Sequence, residues 1–405
     1  MYPYAQSQWG RVVFVKKEML AYLDAPYDRA GTDCLKWDAL ERFYGKPDLV
    51  AMWVADMDFP TAPQVRDAIV RRAEHAIYGY TLSEEKSRAA EAGWQARRHQ
   101  CEIEPDWILY SPGVVDSIFL CVRALTEAGE GVVIQPPVYG PFYEAIEKFG
   151  RRLVEAPLIH EESGWRMDYE ALDRAFEQAK LMILCSPHNP VGRVWTPEEL
   201  EKVVALAEKH GATIVSDEIH ADFVFDGRKQ TRIFNVPGAK DRAILLTSPT
   251  KSFNLAGLRH SSMIIAEPAL REKMKGELSR AHADANLFGS VAQIAAYTEG
   301  DEWMDAVVEY IQGNRDFAVQ AIRERLPMLK CTPQEGTYLL WVDFRGLGMS
   351  HEQTQKWLVE KAGVALTEGT FFGKQGEGWF RINLATQRAN VEKTIDRLVN
   401  AIQGR

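Results

Sequence analysis

Between residues 107 and 266 the chain repeats one pattern. Short, almost wholly apolar runs at 107–110, 132–135, 181–186, 212–216, 243–247 and 261–266 are separated by amphipathic stretches that end in glycine. Runs this short and this uniformly apolar form strands buried on both faces. Helices are expected over 116–128, stopped by Gly129, and over 139–149, stopped by Gly150. The clearest helix starts at Thr196, with Pro197 at its first position and Glu199 placed to complete a capping box. Its apolar Leu200, Val203, Val204, Leu206 and Ala207 fall on one side as far as Lys209, and Gly211 ends it. Buried strands alternating with helices predict an α/β fold with a doubly wound, mainly parallel sheet.

After about residue 290 helical stretches alternate with two β-like segments, 338–344 and 378–384, which predicts a smaller α+β domain. A chain of 405 residues suits such a division, at roughly 150 residues per domain. Residues 61–290 would form the large domain, 291–405 the small one, 27–60 would join the small domain, and 1–26 would be an arm or tail. Apolar residues at 46% and charged residues at 26% exclude a disordered chain, a collagen and a coiled coil. A net charge of -9 argues against nucleic-acid or anionic-membrane partners. No apolar run approaches the roughly 18–20 residues that span a bilayer. The first 25 residues mix Asp, Glu and Lys and do not read as a signal peptide. Five scattered cysteines without a CxxC pair suggest reduced thiols in a cytoplasmic protein, with no disulfide or zinc framework.

Hydrolase, zinc-protease, Walker and dinucleotide motifs are all absent, and the nine histidines show no metal-ligand spacing. His220 and Asp222 read as a pair at a strand end. The informative residues follow the strands, because ligands of open α/β sheets bind at the strands' carboxyl ends. Asn189 follows the run at 181–186, Asp217 follows 212–216, and Lys251 follows 243–247. After Tyr110, Ser111-Pro112-Gly113-Val114-Val115 opens into a helix whose backbone N–H groups can hold a phosphate. Alone, each is an ordinary cap, turn or surface residue. Together they are the parts of a pyridoxal phosphate site: a lysine for the Schiff base, a buried carboxylate to keep the pyridine nitrogen protonated, and a helix start for the phosphate.

Further segments make the resemblance specific. They are YDRAGTDCLKWD at 27–38, MWVADMDF at 52–59, YGYT at 78–81, SPGVV at 111–115, NPVGR at 189–193, SDEIHAD at 216–222, SPTKSFNLAGL at 248–258, EGTYLLWVD at 335–343 and FRINLAT at 380–386. In order and spacing the chain resembles fold-type I pyridoxal-phosphate enzymes of the aspartate aminotransferase superfamily. Within these it resembles the MalY/PatB-type cystathionine β-lyases, or cysteine C–S lyases. The resemblance implies that Lys251 forms the Schiff base and removes the Cα proton, and that Asp217 pairs with the pyridine nitrogen. It implies that Asn189 and His220 lie near the ring hydroxyl and that Tyr139 stacks on the ring. It implies that Val114, Val115 and Ser248 hold the phosphate and that Arg381 clamps the substrate α-carboxylate. Tyr80 would reach the phosphate or substrate of the other subunit in a homodimer with a shared active site. Tyr139 or Tyr80 would assist the departing sulfur.

Two residues depart from that pattern. Arg259 stands where the aminotransferases keep a phosphate arginine that close C–S lyases often lack, and Asp116 places a carboxylate beside the expected phosphate. The implied activity is cleavage of L-cystathionine or related L-cysteine S-conjugates to a thiol, pyruvate and ammonia. An aminotransferase using the same lysine is the first alternative, and a partner-binding regulatory protein that retains the cofactor site is the second.

Overall fold

The computed structural model describes residues 16–82 and 84–404. Of the expected N-terminal arm, residues 1–15 lie outside the described residues, and Lys16–Asp24 is a helix whose Met19 and Leu23 are buried. Two short helices, Leu35–Asp38 and Leu40–Tyr44, precede strand β1 (Val50–Ala51). The large sheet is then built from β2 (Ile108–Ser111), β3 (Gly131–Ile134), β4 (Arg152–Glu155), β7 (Ala179–Cys185), β8 (Thr213–Asp217), β9 (Ala243–Thr247) and β10 (Ser261–Ile264), with a small hairpin of β5 (Ile159–Glu161) and β6 (Gly164–Arg166) between β4 and β7. The strand order is β2-β10-β9-β8-β7-β3-β4.

Both faces of this sheet are buried, as the uniform apolar runs require. Met182, Leu184, Ile214 and Leu245 enter the core on one side. Their neighbours Leu181, Ile183, Val215 and Leu246 enter the core on the other. Strand β10 runs antiparallel to β9 and β2, while the other pairs are parallel. The link from β9 to β10 holds only the helix Pro249–Ser252 and a 3-10 turn, Ala256–Leu258. Its longest helix has only four residues, so the helix that usually makes the crossover of a parallel return is missing. Strand β4 was not expected, because an edge strand with Arg152 and Glu155 at its ends lacks the apolar run.

The helix at Thr196 forms as its caps dictate. It spans Pro197–His210, both hydrogen bonds of the capping box are present, and Gly211 takes a left-handed conformation at the end. The helix after β2 is Val114–Leu125, so it starts at the Gly-Val step rather than at Asp116.

In the C-terminal part, β11 (Lys330–Cys331), β12 (Leu339–Asp343), β14 (Thr367–Glu368) and β15 (Trp379–Asn383) form an antiparallel sheet in the order β11-β12-β15-β14. Leu340, Val342, Phe380 and Ile382 share a core with Ala318 and Ile322 of the helix Asp301–Arg325 and with Ile395 and Leu398 of the helix Arg388–Gln403. Strand β13 (Val364–Ala365) pairs in parallel with β1, which ties residues 50–51 to this region. All five cysteines are unpaired. Among the described residues no helix is long and apolar enough to cross a membrane.

Candidate active site

The carboxyl ends of β7, β8 and β9 and the start of the helix Val114–Leu125 surround a cavity of about 210 Å³. Its wall carries Asn189, Asp217, His220 and Lys251, together with Tyr139, Val114, Val115 and Arg259. Residues from four separate segments meet here because parallel strands all end on the same side of the sheet.

Asp217 is the last residue of β8 and is only 5% exposed. Its carboxylate accepts one backbone hydrogen bond, from the Ile219 N–H at 3.2 Å, and makes no ion pair among the described residues. Burial therefore dominates and pushes its pKa up to about 7. Lys251 sits in the short helix Pro249–Ser252 and donates to the Ala55 carbonyl at 2.5 Å. Burial brings its pKa down to about 8, with Arg381 acting in the same direction and the charges of Asp56 and Asp217 opposing. An amine held near neutrality is poised to act as a base.

Ala55 was not visible as a site residue. Its carbonyl also accepts from the Tyr338 hydroxyl at 3.0 Å. The segment that presents it is pinned from two sides. Asn383 donates to the carbonyls of Val54 and Asp56, each at 2.6 Å, and Asn254 donates to those of Met57 and Phe59 at 2.9 and 2.8 Å. Farther along, Asp58 takes Lys36 at 2.7 Å and Arg29 at 2.8 Å, and Asp56 takes Arg29 at 2.6 Å. The WVADMDF segment is thus a structural clamp whose product is one correctly aimed carbonyl.

Arg381, in β15, is buried and pairs with no carboxylate among the described residues. It donates to Asn189 Oδ1 at 3.0 Å, to the Trp53 carbonyl at 3.1 Å and to Thr367 Oγ1 at 3.2 Å, and lies over the Phe372 ring. Its Nε is buried without a partner, and burial lowers its pKa to about 10. Arg381 is not among the residues of the cavity wall, and a guanidinium this buried without a counter-ion carries an uncompensated charge.

His220 is buried with its Nδ1 unpartnered, its ring packs edge-on against Tyr338 at 5.4 Å, and burial holds its pKa well below the usual histidine value. The pairing expected between His220 and Asp222 does not form. Asp222 instead accepts from His99 Nε2 at 2.9 Å, from Trp94 Nε1 at 3.2 Å and from the Ser252 hydroxyl. Neighbouring residues in a turn need not face each other, and here only His220 lines the cavity wall together with Lys251.

Ser248 does not line the cavity. Its hydroxyl donates to the His260 carbonyl at 2.6 Å and accepts the Thr250 N–H at 3.0 Å, so Thr250 stands on the wall in its place. Tyr80 does not reach the cavity within this chain. It is fully exposed and lines a separate cleft with Arg88, Tyr110 and His282. Arg259 donates to both carboxylate oxygens of Asp116, at 3.1 and 3.0 Å.

The family model for aminotransferase class I and II matches residues 47–398. The chain belongs to that family. It is 37% identical to cystathionine beta-lyase PatB of Bacillus subtilis (strain 168), over 94% of this chain and 99% of that protein. It is 35% identical to protein MalY of Escherichia coli (strain K12), over 93% and 97% of the two chains. Among solved structures, a PLP-bound putative aminotransferase from Clostridium difficile 630 superposes with a TM-score of 0.92 at 40% identity, covering 94% of this chain and 99% of that one. The expected fold type I, a large mainly parallel sheet domain with a smaller α+β domain, is therefore the fold this chain has.

Proposed function

We propose that the chain is a pyridoxal-phosphate-dependent carbon–sulfur β-lyase that cleaves L-cystathionine or related L-cysteine S-conjugates to a thiol, pyruvate and ammonia. The carrying observation is the lone buried carboxylate of Asp217 on the same cavity wall as the weakly basic Lys251. Asp217 lacks a cationic partner among the described residues and His220 Nδ1 lacks any partner, so the cavity is incomplete as a purely protein core. The ring and phosphate of pyridoxal phosphate fit these open groups. The relationship to PatB directs the reading toward C–S cleavage.

When bound, pyridoxal phosphate supplies the sink for the electrons of the broken Cα–H bond. In this reading the protein does the rest. Asp217 keeps a proton at the pyridine nitrogen, where a positive partner removes the penalty of its own burial. Asn189 and His220 would face the ring hydroxyl, and Tyr139 would pack on the ring. Val114 and Val115 would hold the phosphate with their N–H groups, joined by Arg259 and by Thr250 beside Ser248. Arg381 would fix the α-carboxylate, with its unpartnered Nε–H free to donate. Lys251 Nζ, held close to neutrality, takes the Cα proton. Tyr139 keeps its proton because burial raises its pKa, and Tyr139 or Tyr80 would assist the departing sulfur. The Cβ–S bond breaks, the thiol leaves, and the released aminoacrylate takes up water to give pyruvate and ammonia.

We further infer a cytoplasmic homodimer in which Tyr80 completes the site of the other copy. Its full exposure and its place on a cleft other than the home cavity support that assembly. The domain division follows the same lines: 27–60 and 291–405 the small domain and 61–290 the large one. The pairing of β1 with β13 supports grouping 27–60 with the C-terminal part.

The test is release of thiol and pyruvate from L-cystathionine by the protein loaded with pyridoxal phosphate, with no keto acid present. Sustained release establishes the lyase. The similarity to the putative aminotransferase from Clostridium difficile 630 favours a second reading. Activity that appears only when an amino donor is paired with a keto acid would replace the lyase with an aminotransferase.

A further inference from the structure

The two residues that depart from the lyase pattern meet in space. Asp116 and Arg259 are 143 positions apart, yet Arg259 Nη2 lies 3.1 and 3.0 Å from the two carboxylate oxygens of Asp116. Both residues line the same cavity as Val114, Val115, Thr250 and Lys251. The Asp116 carboxylate also folds back over the helix start: a Cβ on Gly113 would stand 2.7 Å from its Oδ2. It therefore lies where the first-turn N–H groups and the helix dipole favour an anion.

This pair is not a fold-stabilising bridge. The Arg259 side chain is 61% exposed and that of Asp116 is 41% exposed. Exposed pairs of this kind contribute little to stability. What the pair does change is the charge offered to a ligand. The helix start carries about half a positive charge, and Arg259 adds a full one. Asp116 cancels a full one and already occupies the guanidinium. A phosphate monoester brings close to two negative charges, so it meets a cradle that is nearly neutral and partly filled.

We propose that Asp116 is a built-in competitor for the cofactor's phosphate, holding Arg259 and the helix start and so making the bound cofactor more exchangeable. The inference rests on the reading that this cavity takes pyridoxal phosphate. Its consequence is specific to the phosphate end, because Asp116 faces Arg259 and Gly113, whereas Asp217 and Lys251 come from the strand ends.

The experiment is equilibrium dialysis of the cofactor-free full-length protein against pyridoxal phosphate and, separately, against pyridoxal, for the wild type and Asp116→Asn. A unit charge removed several ångströms from a dianion in a solvated site predicts roughly ten-fold tighter binding of pyridoxal phosphate by the variant. The gain shrinks as salt is added, and pyridoxal binding stays unchanged. Equal or weaker binding of pyridoxal phosphate by the variant overturns the proposal, and weaker binding identifies Asp116 as an organiser of Arg259 instead. An equal gain for pyridoxal also overturns it, since the effect would not act through the phosphate. If neither protein binds pyridoxal phosphate, the functional reading falls and this inference falls with it. If the wild type binds and only the predicted gain is missing, the functional reading stands.

Discussion

Asp217→Asn in the cofactor-free protein puts a number on what the site demands of the fold. The carboxyl pKa rises from 3.8 to about 7 on folding, with burial as the leading cause. A raised carboxyl pKa means that the folded chain holds the proton more tightly than the unfolded chain. Stability is then highest below the unfolded value and falls as pH rises toward the folded one. At up to about 1.4 kcal/mol for each pH unit, the loss is about 4 kcal/mol in all; the slope flattens near the folded pKa, so about 2 kcal/mol of it falls between pH 5 and 7. Asparagine keeps the oxygen that accepts the Ile219 N–H but adds a buried donor, at a penalty of about 1–3 kcal/mol. That penalty does not depend on pH, whereas the carboxylate's does. Urea unfolding of both proteins at fixed concentration, at pH 5 and pH 7, isolates the difference. The variant is expected to gain about 2 kcal/mol on the wild type between the two pH values. Parallel stability curves would refute the claim that the carboxylate is an unpaired charge kept for a cationic ring nitrogen.

Three more outcomes follow from the same structure. Arg381→Ala removes two charge-assisted donors from the α-carboxylate and is expected to lower kcat/KM about 100-fold to 1000-fold, read by pyruvate release. Asp222→Ala leaves His99, Trp94 and the Ser252 hydroxyl without their shared acceptor in the core. A loss of about 3 kcal/mol is expected in chemical denaturation, and rescue by asparagine is expected to be partial. Gly369→Ala would set a Cβ 1.9 Å from the Gly376 carbonyl oxygen, which is backbone and cannot swing aside. It is expected to destabilise by about 1–3 kcal/mol, seen as a lowered thermal midpoint.

Much of the candidate site could be located in the sequence because each part lies next to the element that carries it. Asp217 ends β8, Lys251 follows β9 by four residues, and Val114 opens its helix. An apolar run followed at once by a polar residue is a local signal. The partners that tune these groups are not local. Lys251 and Ala55 are 196 positions apart, Tyr338 and Ala55 are 283 apart, and Asp222 and His99 are 123 apart. A segment such as 53–59 carries no period that announces which carbonyl will face a lysine. The direction of β10 was hidden for a similar reason: an apolar run gives burial but no polarity relative to its neighbours.

The sequence by itself determined the inner strands of the large sheet and the helix that Thr196 caps, that both faces of that sheet are covered, and which strand ends carry chemistry. Side-chain volume, hydrophobic period and capping act over a few residues and are written in order along the chain. Only the tertiary structure decided that Ser248 is consumed as a cap while Thr250 meets the cavity, and that Asp222 serves His99 rather than His220. Those outcomes depend on which donors and acceptors packing brings within about 3 Å of each other, and contacts at that range are set by the whole topology.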